Sequence, residues 1–98
     1  MKVGFSVDAQ RDLELIGDFI ANHDAARAES FVSELGARAI ELGTFPKRFP
    51  IAPLLAHLDI RHRTYGNYLI LYRVEKERVL VLRFVHAARD YRALFDSE

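Results

Sequence analysis

Eight residues of this chain could do chemistry together: Arg61, Arg63, Arg73, Arg83, His86, Arg89, Tyr91 and Arg92. Guanidinium groups grip carboxylates or phosphates in a planar, bidentate way. A histidine titrates near neutrality, and a histidine or tyrosine can move a proton. Such a set could hold RNA phosphates and cut between them. Arg83 is the most informative member, because it interrupts the apolar run RVLVLRFVH (78–86). A charge placed there must reach solvent or meet an opposite charge. A purely structural reading is open as well, in which Arg83 or Arg89 pairs with Asp90 or Asp59.

Other chemistries find little support. The chain has no cysteine, which excludes thiol catalysis, disulfides and zinc-thiolate sites. His23, His57, His62 and His86 are scattered without a helical H-x-x-x-H spacing, so no metal site is expected. Ser6, Ser30, Ser33 and Ser97 sit in cap, helix or tail positions and not on a G-x-S-x-G turn. The five glycines are isolated, so no phosphate-cradling loop is present and no cofactor is expected.

The elements that must position these residues follow from periodicity. Val3, Phe5 and Val7 alternate with small or polar residues and predict a short strand. Ser6 or Asp8 can cap a helix over Asp8–Ala21, with Asp12 and Glu14 near its positive end. Leu13, Ile16 and Ile20 form its inner stripe, widened by Leu15 and Phe19. Asp24 caps a second helix over Ala25–Leu42, with Ala28, Phe31, Leu35 and Leu42 inward and Val32 and Ile40 flanking. Gly43 is expected to end that helix in a left-handed conformation. The three prolines mark a loop over 44–57, with one short helical turn near Leu54.

Three strands are predicted next: 58–65, 68–74 and 78–86. Gly66-Asn67 supplies a two-residue hairpin between the first two. Residues 87–95 read as a turn and a short terminal helix docked by Leu94 and Phe95. The order β-α-α-β-β-β-(α) implies an α+β domain over 1–98, a helical hairpin packed on one face of a small, mostly antiparallel sheet. The first strand is expected to join that sheet.

Net charge is zero over 98 residues, yet residues 1–46 carry −4 and residues 47–98 carry +4. Eleven of the fourteen bases are arginine, so the second half suits an acidic partner. No uncharged run approaches the ~20 residues of a membrane span. The amino-terminal segment lacks a signal peptide's apolar core, and a soluble cytoplasmic protein is expected.

Five segments taken in order resemble one family: RDLELIGDFIA (11–21), DAARAESFVSEL (24–35), the proline loop, R-x-R-x-Y-x-x-Y-L-I-L-Y-R-V (61–74) and V-L-R-F-V-H-A-A-R-D-Y (81–91). Together they resemble the ParE branch of the RelE/ParE superfamily of type II toxins. The resemblance implies a growth-arresting toxin neutralised by a small antitoxin encoded beside it. That antitoxin would be ParD-like, with a ribbon-helix-helix DNA-binding domain and an extended segment that wraps the toxin. On this reading Leu13, Ile20, Phe31, Leu35, Arg63 and Arg73 meet the antitoxin.

ParE toxins are associated with poisoning DNA gyrase, and RelE toxins cut mRNA in the ribosome. The resemblance therefore implies a non-enzymatic inhibitor that contacts its target through Arg61, Arg83, His86, Arg89 and Tyr91. The alternatives are a ribosome-dependent endoribonuclease using Arg61, Arg83, His86 and Tyr91, or a degenerate, harmless partner of the antitoxin. The neutral net charge disfavours the nuclease, which must hold mRNA phosphates.

Overall fold

A computed structural model describes residues 1–95. The predicted Ser97 tail lies outside the described residues. The elements run β1 (Lys2–Phe5), α1 (Val7–Ala21), α2 (Ala25–Ile40), β2 (Arg61–Tyr65), β3 (Tyr68–Val74) and β4 (Arg78–His86). Short 3₁₀ turns cover Glu41–Gly43, Pro53–Leu58 and Arg92–Leu94. The strands lie in the order β1-β4-β3-β2. β1 runs parallel to β4, and the other two pairings are antiparallel.

Local chemistry explains the boundaries. The Ser6 hydroxyl accepts from the Ala9 N–H at 2.9 Å and donates to the Leu82 carbonyl at 2.8 Å, so one side chain caps α1 and ties it to β4. Asp24 caps α2 by accepting from the Arg27 N–H. Gly66 takes φ +57° in the β2–β3 turn, a conformation open to glycine without strain. Gly43 does not take the left-handed conformation expected of it. It is needed because the Met1 carbonyl passes so close that a Cβ would collide with it.

Each sheet face has its own core. On the helix face, Ile16, Phe31, Leu35 and Leu42 pack against Ile70, Tyr72, Val79, Val81 and Phe84. On the other face, Ala52 and Leu55 from the proline loop and Ile60 just before β2 cover Leu69, Leu71 and Val85, with Leu82, Tyr91, Leu94 and Phe95 alongside. β4 changes parity on the way. Leu71 pairs with Arg83 while Tyr72 pairs with Val81, so the strand holds one extra residue there. Val79 and Val81 face the helices before this bulge, and Phe84 faces them after it. Bulges of this kind re-aim side chains.

Several expectations are corrected. α2 proper stops at Ile40, and the 3₁₀ turn carries the chain through Leu42. β2 begins at Arg61 because Asp59 adopts a left-handed φ of 59° that ends the preceding turn. Leu15, Phe19 and Ile40 are exposed instead of lining the core.

Candidate functional site

The centre of the site is a buried clasp. Asp12 is only 7% exposed and lies on the inner stripe of α1 with Ala9 and Ile16. The Arg83 guanidinium donates to both of its oxygens, Nε to Oδ2 at 2.7 Å and Nη2 to Oδ1 at 2.9 Å. The Phe84 N–H donates to Oδ2 as well, at 2.9 Å. Asp12 thus satisfies the bulged strand at the point where it is re-aimed, and the Asp12 hydrogen bond holds Arg83 above its ordinary pKa. The predicted partners of Arg83, Asp90 and Asp59, are not the ones used. The missed signal is a carboxylate on an apolar helical stripe, which requires a cation facing it.

The remaining residues expected to meet the target divide between engaged and free groups. Arg61 donates to the carbonyls of Lys47 and Phe49 at 3.2 and 2.7 Å, which fixes the proline loop to β2. Tyr91 packs at the edge of the second core. His86 is exposed, and its Nδ1 accepts from the Ala88 N–H at 3.1 Å. That bond uses the one free lone pair of a neutral imidazole and leaves Nε2 as a donor. Arg89 is exposed and makes no ion pair among the described residues.

The residues expected to meet an antitoxin are scattered. Leu35 is fully buried at 0% exposure and is a core residue without surface to offer. Leu13 is partly buried against the helix-side core. Arg63 donates to the Arg38 carbonyl and to Glu41, both at 2.9 Å, and sits over the Phe49 ring. Its hydrogen bond, followed by that of Arg38, holds the Glu41 carboxyl below its usual range. Arg73 pairs with Glu75 at the far end of β3. Ile20 and Phe31 do reach a surface groove.

That groove has two joined parts. One, of about 300 Å³, is lined by Phe19, Ile20, Arg27, Phe31, Tyr68 and His86, among others. The other, of about 190 Å³, shares Phe19, Tyr68 and His86 and adds Leu15, Phe84 and Arg89. Phe19, 62% exposed, forms the lip between them. Tyr68 and His86 meet edge to face with centroids 5.3 Å apart and form the opposite wall. Beside the groove, Glu34 is held by Arg27 at 2.9 Å and by the Tyr65 hydroxyl at 2.6 Å. These two bonds lower the Glu34 pKa, while Glu34 raises that of Tyr65. A trough of mixed apolar and polar lining, with Arg89 at its rim free of ion pairs among the described residues, can accept an amphipathic, acidic peptide.

Two helices packed on one face of a four-stranded sheet of this topology define the RelE/ParE-like toxin fold. A chain of the chromosomal ParDE toxin-antitoxin system from P. aeruginosa superposes with a TM-score of 0.75, at 17% identity, over 88% of this chain and 95% of that one. A chain of the toxin-antitoxin complex RelBE2 from Mycobacterium tuberculosis gives 0.62 at 27% identity, over 87% of this chain and 95% of that one. No curated protein sequence matches the chain. The family of ParE toxins of type II toxin-antitoxin systems, parDE, matches residues 3–91, and the chain belongs to it.

Proposed function

We propose that this toxin acts by binding DNA gyrase, without catalysis of its own, and that a ParD-like ribbon-helix-helix antitoxin neutralises it in the cytoplasm. The observation that carries this reading is the Asp12–Arg83 clasp. The arginine best placed to grip a scissile phosphate is already held side-on, through Nε and Nη2, by a buried carboxylate that offsets its charge. Arg61 is likewise committed to main-chain carbonyls, and His86 spends its one basic lone pair on the Ala88 N–H, which argues against its serving as a general base. Neutral net charge supports the same reading, since RNA-cutting on the ribosome favours a basic surface.

The antitoxin's acidic, amphipathic segment fits the Phe19 groove, with Ile20, Phe31 and Tyr68 as its floor and Arg89 at its rim. Tyr91, at the edge of the second core, belongs to the target contact, as do His86 and Arg89, which line the same groove. Bound antitoxin would then cover them, which accounts for neutralisation.

The test is a supercoiling assay with purified gyrase, the full chain and the antitoxin encoded beside it. Inhibition of supercoiling with accumulation of cleaved DNA, relieved by the antitoxin, is expected. Undisturbed supercoiling, together with cleavage of ribosome-bound mRNA, would replace this reading with the nuclease.

A further inference from the structure

The opposite end of β3 carries a second concavity. Tyr68 opens β3 at the groove and Val74 closes it, about 20 Å away at the usual rise per strand residue. Around Val74 lies a pocket of about 590 Å³, walled by Met1, Phe45, Pro46 and the aliphatic stems of Lys47 and Arg48. Its wall is almost wholly apolar. A polar shelf of about 400 Å³ adjoins it, shares Lys47 and Val74, and adds Asp59, Arg61, Glu75 and Lys76.

Phe45 is displayed here under strain. The residue is 73% exposed, and its φ of 54° is left-handed, which costs a non-glycine residue about 1 kcal/mol. The loop is held in this shape from beneath. The Tyr72 hydroxyl donates to the Pro46 carbonyl at 2.6 Å, Arg61 bonds the Lys47 and Phe49 carbonyls, and the Arg48 N–H returns to the Phe45 carbonyl. A surface fixed in advance binds without a large ordering cost.

The charge around the pocket has one sign to spare. All three lysines of the chain, Lys2, Lys47 and Lys76, lie at this end, and none of them forms an ion pair among the described residues. Glu75 is already neutralised by Arg73 and Arg78. Asp59 and Glu77 stand against Lys2, Lys47, Arg48 and Lys76, so cations remain in excess. An apolar well with a cationic rim complements a large apolar side chain flanked by carboxylates.

We infer that the Phe45–Arg48 loop and the pocket beside Val74 form a second docking surface, separate from the Phe19 groove, for an acidic protein segment that carries one large apolar anchor. The surface stands on its own geometry. Taking the segment to be part of the toxin's target rests on the gyrase reading above.

The probe is a fluorescein-labelled peptide with one tryptophan flanked by two carboxylates on each side, followed by anisotropy against the full chain at low salt. Saturable binding is expected. It should weaken at least tenfold for the tryptophan-to-alanine peptide, for Phe45→Ala and for Lys47→Glu with Lys76→Glu. All three substituted positions are exposed, and Lys76→Glu alone, in the β3–β4 turn, provides a variant with no packing to lose. Absence of saturable binding, equal affinity for the alanine peptide, indifference to the substitutions, or tighter binding of a thymidine oligonucleotide of equal charge would each overturn the inference. A wild-type chain that binds the peptide but leaves supercoiling untouched keeps this surface and removes gyrase as its partner. A chain that inhibits gyrase but ignores the peptide does the reverse.

Discussion

Arg83, where β4 bends past α1, and Lys47, in the proline loop, are both cations beside apolar surface, and they differ in what they touch. Arg83 closes on Asp12 in the helix-side core and takes its carboxylate with both arms of the fork. Lys47 forms the rim of an apolar well and has no carboxylate partner among the described residues. Arginine is used in this chain chiefly to hold the molecule together. Arg27, Arg38, Arg63, Arg73, Arg78, Arg83 and Arg92 all form ion pairs, and Arg61 binds main-chain carbonyls. The lysines are left for solvent or a partner. A strand rich in arginine is therefore not by itself a phosphate grip, and the surface to test for recognition is where the cations remain free.

The largest effect should come from breaking the clasp. Asp12→Ala leaves a guanidinium and the Phe84 N–H without their acceptor, and should lower unfolding free energy by about 3–5 kcal/mol in chemical denaturation. Asp12→Leu with Arg83→Met should recover the part due to the unpaired guanidinium and leave the part due to the Phe84 N–H. A loss below about 1 kcal/mol for Asp12→Ala would put Arg83 back among the available functional groups.

Leu35→Ala should cost about 2–4 kcal/mol by the same measurement, because the side chain is fully buried between α2 and the sheet. Any change in antitoxin affinity should track the unfolded fraction. Phe19→Glu should behave in the opposite way. Its melting temperature should stay within a few degrees of wild type, while antitoxin affinity measured by calorimetry falls about thirtyfold, as expected for a central interface anchor.

A smaller effect joins the two regions. Tyr72→Phe removes the bond to the Pro46 carbonyl and should cost about 1 kcal/mol while loosening the Phe45 loop. Burial raises the Tyr72 pKa, so the folded state favours the neutral hydroxyl. Its contribution is complete below the ordinary tyrosine range and is lost as pH rises through the folded pKa. Alkaline unfolding should be less steep in Tyr72→Phe, and ultraviolet titration should show one tyrosine that ionises late. The smallest effect belongs to Glu34. Arg27 and Tyr65 lower its pKa, so its slight stabilisation, present above the ordinary glutamate range, should fade as pH falls through the lowered value and be absent in Glu34→Gln.

Much of this architecture was legible in residue order alone. β3 and β4 fall where the apolar runs place them, Gly66-Asn67 makes the turn, and the helical hairpin follows its caps. The failures have physical causes. Periodicity marks the α1 stripe but not its covered flank, and α2 shelters Leu13 and Ile20 while Leu15 and Phe19 pass beyond the sheet into the groove wall. Asp12 read as a helix-end charge because its i+4 relation to Ile16 mattered only once β4 bulged toward it. The Phe45 pocket is made by residues far apart in sequence, and no local pattern announces a left-handed phenylalanine.

The most direct measurement is induction of the chain without its antitoxin, with chromosomal breaks and mRNA 5′ ends mapped in the same cells. A toxin that works by binding gyrase should give double-strand breaks and intact transcripts. Transcripts cut at ribosome-dependent positions, with an unbroken chromosome, would contradict it and return Arg83 and His86 to catalysis.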